Sequence, residues 1–381
     1  MAPSPADANP PLGDPELRPR LVAFYLPQFH PITENDRWWG EGFTEWTNVV
    51  PARPSFKGHY QPQLPTELGY YDLRDPEVLV RQAELAREYG VHGFCFHHYW
   101  FNGRRVLERP LAQMLARETP TLPFCISWAN ENWTRRWDGL DHEVLLRQDY
   151  DGDWAERFIR DLIPILGDDR YMRVDGAAML LVYRVGLLPD PPRVAELWRT
   201  LAQAEGLDLH LAAVQSFEIQ DPRPFGFDAA VEFPPHPFGL RPAEARVKRL
   251  RRRFRGMLEN YESLMEVALR KPVPDYHVYR GLVPSWDNTA RRGYEAYVAV
   301  GSSPEAYRRW LGELARQALE RSDTTDPIVF VNAWNEWAEG THLEPDDRYG
   351  RAWLEATRDG LADGAEAFDA SRRFGIKARS M

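Results

Sequence analysis

Glu336 and Glu339 stand three residues apart in Asn335-Glu336-Trp337-Ala338-Glu339-Gly340, directly after the apolar run Ile328–Trp334. If the chain makes a helical turn there, both side chains project to the same side, with Cβ atoms about 5–6 Å apart. Retaining glycosidases hold their two carboxyl groups about 5–5.5 Å apart. Like charges at that range do not both ionise easily, so one pKa rises and the pair supplies an acid and a base at one pH. The plain alternative is a pair of surface acids. A buried strand just before them and indole rings beside them argue for a catalytic pair.

A pair of that kind needs a scaffold. Eight apolar runs read as strands: Leu21–Leu26, Val91–His97, Leu122–Trp128, Ala178–Tyr183, Leu209–Gln215, Phe227–Glu232, His277–Pro284 and Ile328–Trp334. Most are nearly continuous, as expected for parallel strands covered on both faces. Between them lie helical stretches. Pro76–Tyr89 follows a capping Asp75, Pro304–Glu320 follows Ser303, and Asp153–Leu166 and Pro192–Ala204 carry a 3.6-residue rhythm. This alternation predicts an α/β fold, a (β/α)8 TIM barrel in a single domain with long βα loops. An open doubly wound sheet would place a phosphate-binding glycine loop after the first strand, and Pro27-Gln28-Phe29-His30 stands there instead. Residues 1–20 read as a disordered arm, 21–361 as the barrel and 362–381 as a tail. The connection Pro27 to Asp75 has no clear helix and is long enough to be functional.

Barrel enzymes react at the C-terminal ends of their strands. Applied here, that rule gathers the candidate substrate contacts Tyr25 and Gln28, then His97, His98 and Tyr99, then Trp128, Asn130 and Glu131. Tyr183, Gln215, Glu232 and Trp286 follow, and Asn335 and His342 flank the glutamate pair; Trp46 joins them from the first long loop. The histidines have no third ligand at recognisable spacing, so no metal and no cofactor is expected. Asn130-Glu131 is a second Asn–Glu pair, and in an ordinary double displacement Glu131 is the rival acid to a nucleophilic Glu336.

The 381 residues carry a formal charge of -10, which argues against nucleic acid or an anionic membrane as main partner. Aromatic residues make up 13%, with 14 Trp; these fill a core or stack on pyranose faces. Cys95 and Cys125 sit in apolar runs and read as buried thiols. No run is apolar enough to span a membrane and no secretory signal is visible, which predicts a cytoplasmic protein without stable membrane insertion. The basic stretch Arg246–Arg255 reads as a helix with a solvated face, and Asp151-Gly-Asp153 as a helix cap.

Three motifs together resemble a known group: Phe24-Tyr25-Leu26-Pro27-Gln28-Phe29-His30, the run from Trp38 to Asn48, and Asn335 to Pro345. They resemble the WbsX proteins, glycoside hydrolase family 99-like domains of bacterial polysaccharide loci, over about Leu21 to Leu361. The resemblance implies a (β/α)8 barrel acting on an oligosaccharide or polysaccharide, as family 99 endo-α-mannosidases do, with no metal. It also implies a neighbouring-group mechanism. Glu336 is then the base on the sugar's own 2-hydroxyl, which closes a 1,2-anhydro sugar, and Glu339 the acid that protonates the leaving oxygen. Tyr25 matches a family tyrosine near the reacting sugar, while Ala338 stands where the mannosidases commonly carry His. WbsX proteins are often described as glycosyltransferase-like and many sit with O-antigen genes. Transfer in lipopolysaccharide biosynthesis, association with polysaccharide-biosynthesis enzymes, and a non-catalytic glycan-binding barrel are therefore the other readings.

Overall fold

The computed structural model describes residues 18–135, 140–216, 220–235, 243–321 and 326–374. Eight parallel strands close into a barrel: β1 (Arg20–Tyr25), β2 (Val91–Phe101), β3 (Phe124–Trp128), β4 (Ala177–Val182), β5 (Leu209–Gln215), β6 (Ala229–Glu232), β7 (Val278–Leu282) and β8 (Ile328–Val331). Each pairs with the next in chain order, and β1 closes the ring by pairing with both β2 and β8. All eight strands expected from the apolar runs are present, with ends shifted by a few residues.

Helices cover the barrel. In the first long connection lie two that the sequence did not betray, α1 (Thr33–Trp39) and α2 (Trp46–Val49). Then come α3 (Pro76–Glu88), α4 (Arg109–Leu115), α5 (Trp154–Leu166), α6 (Pro191–Ala204), α7 (Tyr261–Leu269), α8 (Thr289–Arg292), α9 (Pro304–Glu320) and α10 (Ala352–Phe374). Local signals explain the starts: the Asp75 side chain accepts from Glu77 N at 3.0 Å, and Ser303 Oγ from Ala306 N at 3.2 Å. Asp153 makes no cap bond; it pairs with Arg157 four residues on at 2.7 Å. The amphipathic α5 buries Trp154, Phe158, Ile159, Leu162 and Ile165 along one face. Between β5 and β6 the described residues hold only the 3-10 turn Arg223–Phe225, so the expected eighth alternation with a helix fails there.

Two further expectations change. Arg246–Arg255 is not helical. Its backbone pairs with a neighbouring loop, through Lys57 N to Lys248 O and Arg251 N to Ser55 O, both 2.9 Å. Val247 and Phe254 turn into a small cluster with Phe56, Leu258 and Val298. At the C-terminal side, α10 continues through residue 361, where a tail was expected to begin. Of the expected arm, residues 1–17 lie outside the described residues. No helix among the described residues is long and apolar enough to cross a membrane.

The strand period of two sorts side chains to the two faces of the wall. Phe24, His97 and Phe330 turn inward, with Phe24 packed against His97, Phe233 and Phe330 at ring distances of 5.7, 4.8 and 5.5 Å. Tyr25, Phe94, Phe96 and Trp128 turn outward; Trp128 stacks on Phe158 of α5 at 4.0 Å. Cys95 and Cys125 are buried register partners with free thiols.

Helices α9 and α10 meet on glycines. A Cβ at Gly364 would lie 2.5 Å from Ala315 Cβ and 2.6 Å from Gly312 O. Gly364→Val therefore wedges the pair apart and is expected to lower stability by about 1–3 kcal/mol, read from the denaturant midpoint. An unchanged midpoint would mean that α10 is not part of the cooperative fold.

Candidate active site

The two glutamates lie just past β8. Asn335–Glu336 pairs antiparallel with Thr341–His342, and the connection is a 3-10 turn, Trp337–Glu339. With three residues per turn, positions i and i+3 eclipse, so Glu336 and Glu339 face one way. Gly340 closes the turn with φ +58°, and a Cβ there would meet Asp287 O at 2.7 Å, so a glycine is required on both counts.

One guanidinium joins the pair. Arg291 of α8 donates from Nη1 to Glu339 Oε1 at 2.6 Å and from Nη2 to Glu336 Oε2 at 2.9 Å. The same Nη2 lies 3.2 Å from Oε2 of Glu45, which is completely buried. Gln28 Nε2 donates to the other Glu45 oxygen at 3.1 Å. Burial works against the charge of Arg291, but the pull of Glu45, Glu336 and Glu339 outweighs it and raises its pKa. Burial likewise pushes Glu336 up to about 8 against the pull of Arg291, with Glu339 and Glu45 adding to the rise. Glu45 is raised chiefly by burial, opposed by Arg291. One cation thus faces three carboxyl groups, two of them buried, an arrangement that favours a proton on at least one of them.

Asp287, two residues before α8 in the connection after β7, fixes α8 in place. Its carboxylate receives Gln61 Nε2 at 2.7 Å, the Thr289 amide at 3.0 Å, and the His59 ring at 2.6 Å. Its own amide donates to Glu339 O at 2.7 Å, and Ser285 Oγ donates to Gly340 O at 2.7 Å.

Glu344 anchors the turn from behind. It is fully buried and accepts four hydrogen bonds: Gln82 Nε2 at 2.6 Å, Trp334 Nε1 at 2.9 Å, Trp337 Nε1 at 2.7 Å and Tyr71 OH at 2.9 Å. Burial drives its carboxyl up to about 7 against the pull of those four donors.

Above the glutamates opens a cavity of about 760 Å³ at the C-terminal end of the barrel. Five of the candidate contacts line it: His97, Tyr99, Glu131, Tyr183 and Trp286. Burial lowers His97 to about 4, with Arg291 adding to the fall, so its ring is neutral. Burial raises the Tyr99 hydroxyl, helped by Glu336. The Glu131 carboxylate is ion-paired with Arg184. Gln28 reaches the cluster only through Glu45.

The other candidates are held elsewhere, and strand alternation accounts for most of them. Tyr25 faces the helices and donates to Gln82 Oε1 at 2.8 Å, so the expected contact with sugar is replaced by one with α3. His98 is buried on the outer face beside Arg105 and Asp161. Trp128 belongs to the helix layer, and Trp46 packs on Phe29 and Trp337. Glu232 is tied to Arg280, Lys271 and the Gly281 amide, while its neighbour Phe233 takes the inward place in the cavity wall. Asn130 pins the loop to Arg184 through its backbone, Asn335 bonds both polar groups of Leu26, and Gln215 donates to Gln220 O and Tyr276. The His342 ring stacks on Trp337 at 3.7 Å and meets Gln63. Sequence reasoning passed over Arg291, Glu45, Glu344 and Phe233. Glu45 and Glu344 lie inside motifs already singled out, and Arg291 falls seven residues beyond the expected strand end at Pro284. Among the described residues no group of three or more His, Cys, Asp or Glu could hold a metal ion.

The family described as Glycosyltransferase WbsX matches residues 21–357. The chain belongs to the WbsX family. WxcX of Xanthomonas campestris pv. campestris is 48% identical over 349 residues in both strain B100 and strain ATCC 33913, and its role is uncharacterised. The match covers 91% of this WbsX chain and 50% of WxcX, so the chain spans about half the length of the curated relatives it matches. Among solved structures, a glycoside hydrolase-like protein superposes with TM-score 0.58 at 15% identity, covering 93% of this chain and 97% of that one. The GH99 endo-alpha-mannosidase from Bacteroides thetaiotaomicron gives TM-score 0.52 at 13% identity, covering 93% and 98%. At such identities the likeness establishes the barrel fold of this WbsX chain and no more.

Two outcomes follow from the site. Because burial holds the Glu344 pKa at about 7, above the ordinary carboxylate range, the wild type is expected to lose stability as pH rises towards 7, and Glu344→Gln, which cannot ionise, should flatten that fall in denaturant unfolding across pH. Arg291→Gln removes the cation and should move the titration of Glu336 upward from about 8, followed by carboxyl 13C NMR. A downward move contradicts the charge arrangement.

Proposed function

We propose that this WbsX chain is a glycan-active enzyme, a retaining glycoside hydrolase-like barrel in which Glu336 and Glu339 act on one glycosidic bond. The observation that carries the reading is the eclipsed pair on one 3-10 turn, joined by Arg291 at the floor of an aromatic-walled cavity. The substrate is an α-mannoside-type linkage of a bacterial surface polysaccharide or its precursor. Trp286, Tyr183 and Phe233 supply apolar walls for pyranose faces. Neutral His97 and the Tyr99 hydroxyl supply hydrogen bonds without adding charge.

Glu336 takes the base role. A sugar hydroxyl is a weak acid, and a carboxylate whose pKa is raised to about 8 is a stronger base than an ordinary one. It removes the 2-hydroxyl proton, and that oxygen closes on the anomeric carbon as the glycosidic bond breaks. Glu339, the more exposed partner, protonates the leaving oxygen and then helps water open the three-membered ring. The second reading, glycosyl transfer, keeps the same groups and lets an acceptor hydroxyl replace water; the family's description favours it.

Because Glu336 must be ionised to act, kcat/KM should rise with pH through about 8. A fall through the same range would make Glu336 the acid. Glu336→Gln and Glu339→Gln are each expected to lower kcat about 10²–10⁴-fold on an oligosaccharide. An activated aryl glycoside, whose leaving group needs no proton, should restore Glu339→Gln and not Glu336→Gln. Proton NMR of the first-formed product reads the anomeric outcome, which must be retention. A glycosyl ester trapped on Glu336 would replace the 1,2-anhydro route by double displacement with Glu131 as acid. Absence of cleavage and transfer on every α-mannosyl substrate, with glycan binding intact in both variants, would make the barrel a binding module.

A further inference from the structure

The basic stretch 246–255 is not absorbed by the glycan site. It carries seven cations, Arg246, Lys248, Arg249, Arg251, Arg252, Arg253 and Arg255, and no acid, in a chain of formal charge -10. None of the seven is in an ion pair recorded among the described residues. A loosely solvated face would account for that charge, but this stretch is clamped at both ends. Its backbone pairs with Ser55 and Lys57 on one side, and Arg255 N and Gly256 N both donate to Tyr294 O, at 2.7 and 3.0 Å. At Gly256 the approach is so close that a Cβ would lie 1.8 Å from Ala296 O.

The clamp sets one of these cations, Arg251, beside a second cavity of about 840 Å³, which Arg53, Arg292 and Tyr294 of neighbouring segments also border. Arg53 and Arg251 are exposed and, among the described residues, stand in no ion pair; Arg292 lies 3.7 Å from the acid on that wall, Glu295. Arg291, Arg292 and Glu295 also line the first cavity, so the two cavities adjoin along the segment 291–295. A third cavity, bordered by Arg246 and Lys248, also contains Asp287 and Asp346 in its wall and is not lined by that segment.

We propose that the cavity beside the glutamate pair binds a diphosphate, the one carried by a diphosphate-linked sugar whose glycan end enters the first cavity. Guanidinium groups bind phosphate oxygens through paired N–H donors, and two or three of them around one pocket match a diphosphate better than a lone carboxylate. The volume leaves room for a diphosphate together with part of the group that carries it. The inference rests on the glycan reading above and makes it more specific: the substrate is an activated or carrier-linked glycan, not a finished neutral polymer.

The test uses inorganic pyrophosphate as probe and isothermal titration calorimetry on the full chain. Saturable binding is expected, weakened about tenfold or more by Arg53→Gln with Arg251→Gln. Arg246→Gln with Lys248→Gln, which face the third cavity, should leave it within about twofold. Displacement of pyrophosphate by uridine or guanosine diphosphate would identify a nucleotide carrier, and displacement by farnesyl diphosphate a lipid carrier; both support the proposal. Equal weakening by the two double variants, displacement by neither class, or no pyrophosphate binding would overturn it. Binding to phosphatidylglycerol vesicles that depends on all four cations alike would make the stretch a membrane-facing surface and would also overturn it. Pyrophosphate affinity is read without turnover and should persist in Glu336→Gln, so loss of this site and loss of the glycan reading are separate results.

Discussion

A carboxylate removed from water must be given donors, and Glu344 receives four from four different parts of the chain. Gln82 comes from α3, Tyr71 from the end of the first long loop, Trp334 from the end of β8, and Trp337 from the turn between the two glutamates. Each of those groups is itself committed: Gln82 to Tyr25, Tyr71 to Asn335, and both indoles to the packed layer around them. The turn that carries the two glutamates is therefore positioned from behind by a network in which no member can move alone. Half-satisfied buried networks are costly, and this dependence makes the geometry of the turn stiff.

On the side facing the cavity the constraint is charge. Three carboxyl groups share Arg291, and Arg291 sits on a helix of a single turn that could not hold a position by itself. Asp287 supplies what the helix lacks, because it binds the loop carrying His59 and Gln61, caps the helix at Thr289 and meets the backbone of Glu339. The long first loop thus has a defined task. It brings Glu45 in from the rim and supports the loop that presents the arginine.

Much of this was legible in the sequence. Continuous apolar runs revealed all eight strands, since a wall covered on both faces needs apolar residues on both. Cap residues and prolines marked α3 and α9 closely. The glutamate pair was visible because its spacing and its place after a buried strand are local facts. What was not legible was direction. At the end of β2 two adjacent residues looked equivalent, and the pleat sends His97 inward and His98 to the helices; at the end of β6 it turns the expected contact Glu232 away and brings in Phe233, which sequence reasoning passed over. The register that decides between them is set by the closure of the whole barrel. Arg291 and the partners of Glu344 were hidden for a related reason, since their meaning arises from contacts between segments far apart in the chain. The basic stretch misled because its charge masks Val247 and Phe254, whose burial opposes a helix.

The 3-10 turn has one more consequence. Each residue in it advances the chain by a third of a circle, so the two carboxylates coincide in direction only when two residues separate them. One residue more or fewer would swing Glu339 away from Glu336 and break its contact with Arg291. The identity of Trp337 answers to its hydrogen bond with Glu344 and that of Ala338 to packing. Their number answers to angle. Drift in this segment is therefore confined to substitution, and insertions or deletions between the two glutamates are closed to it.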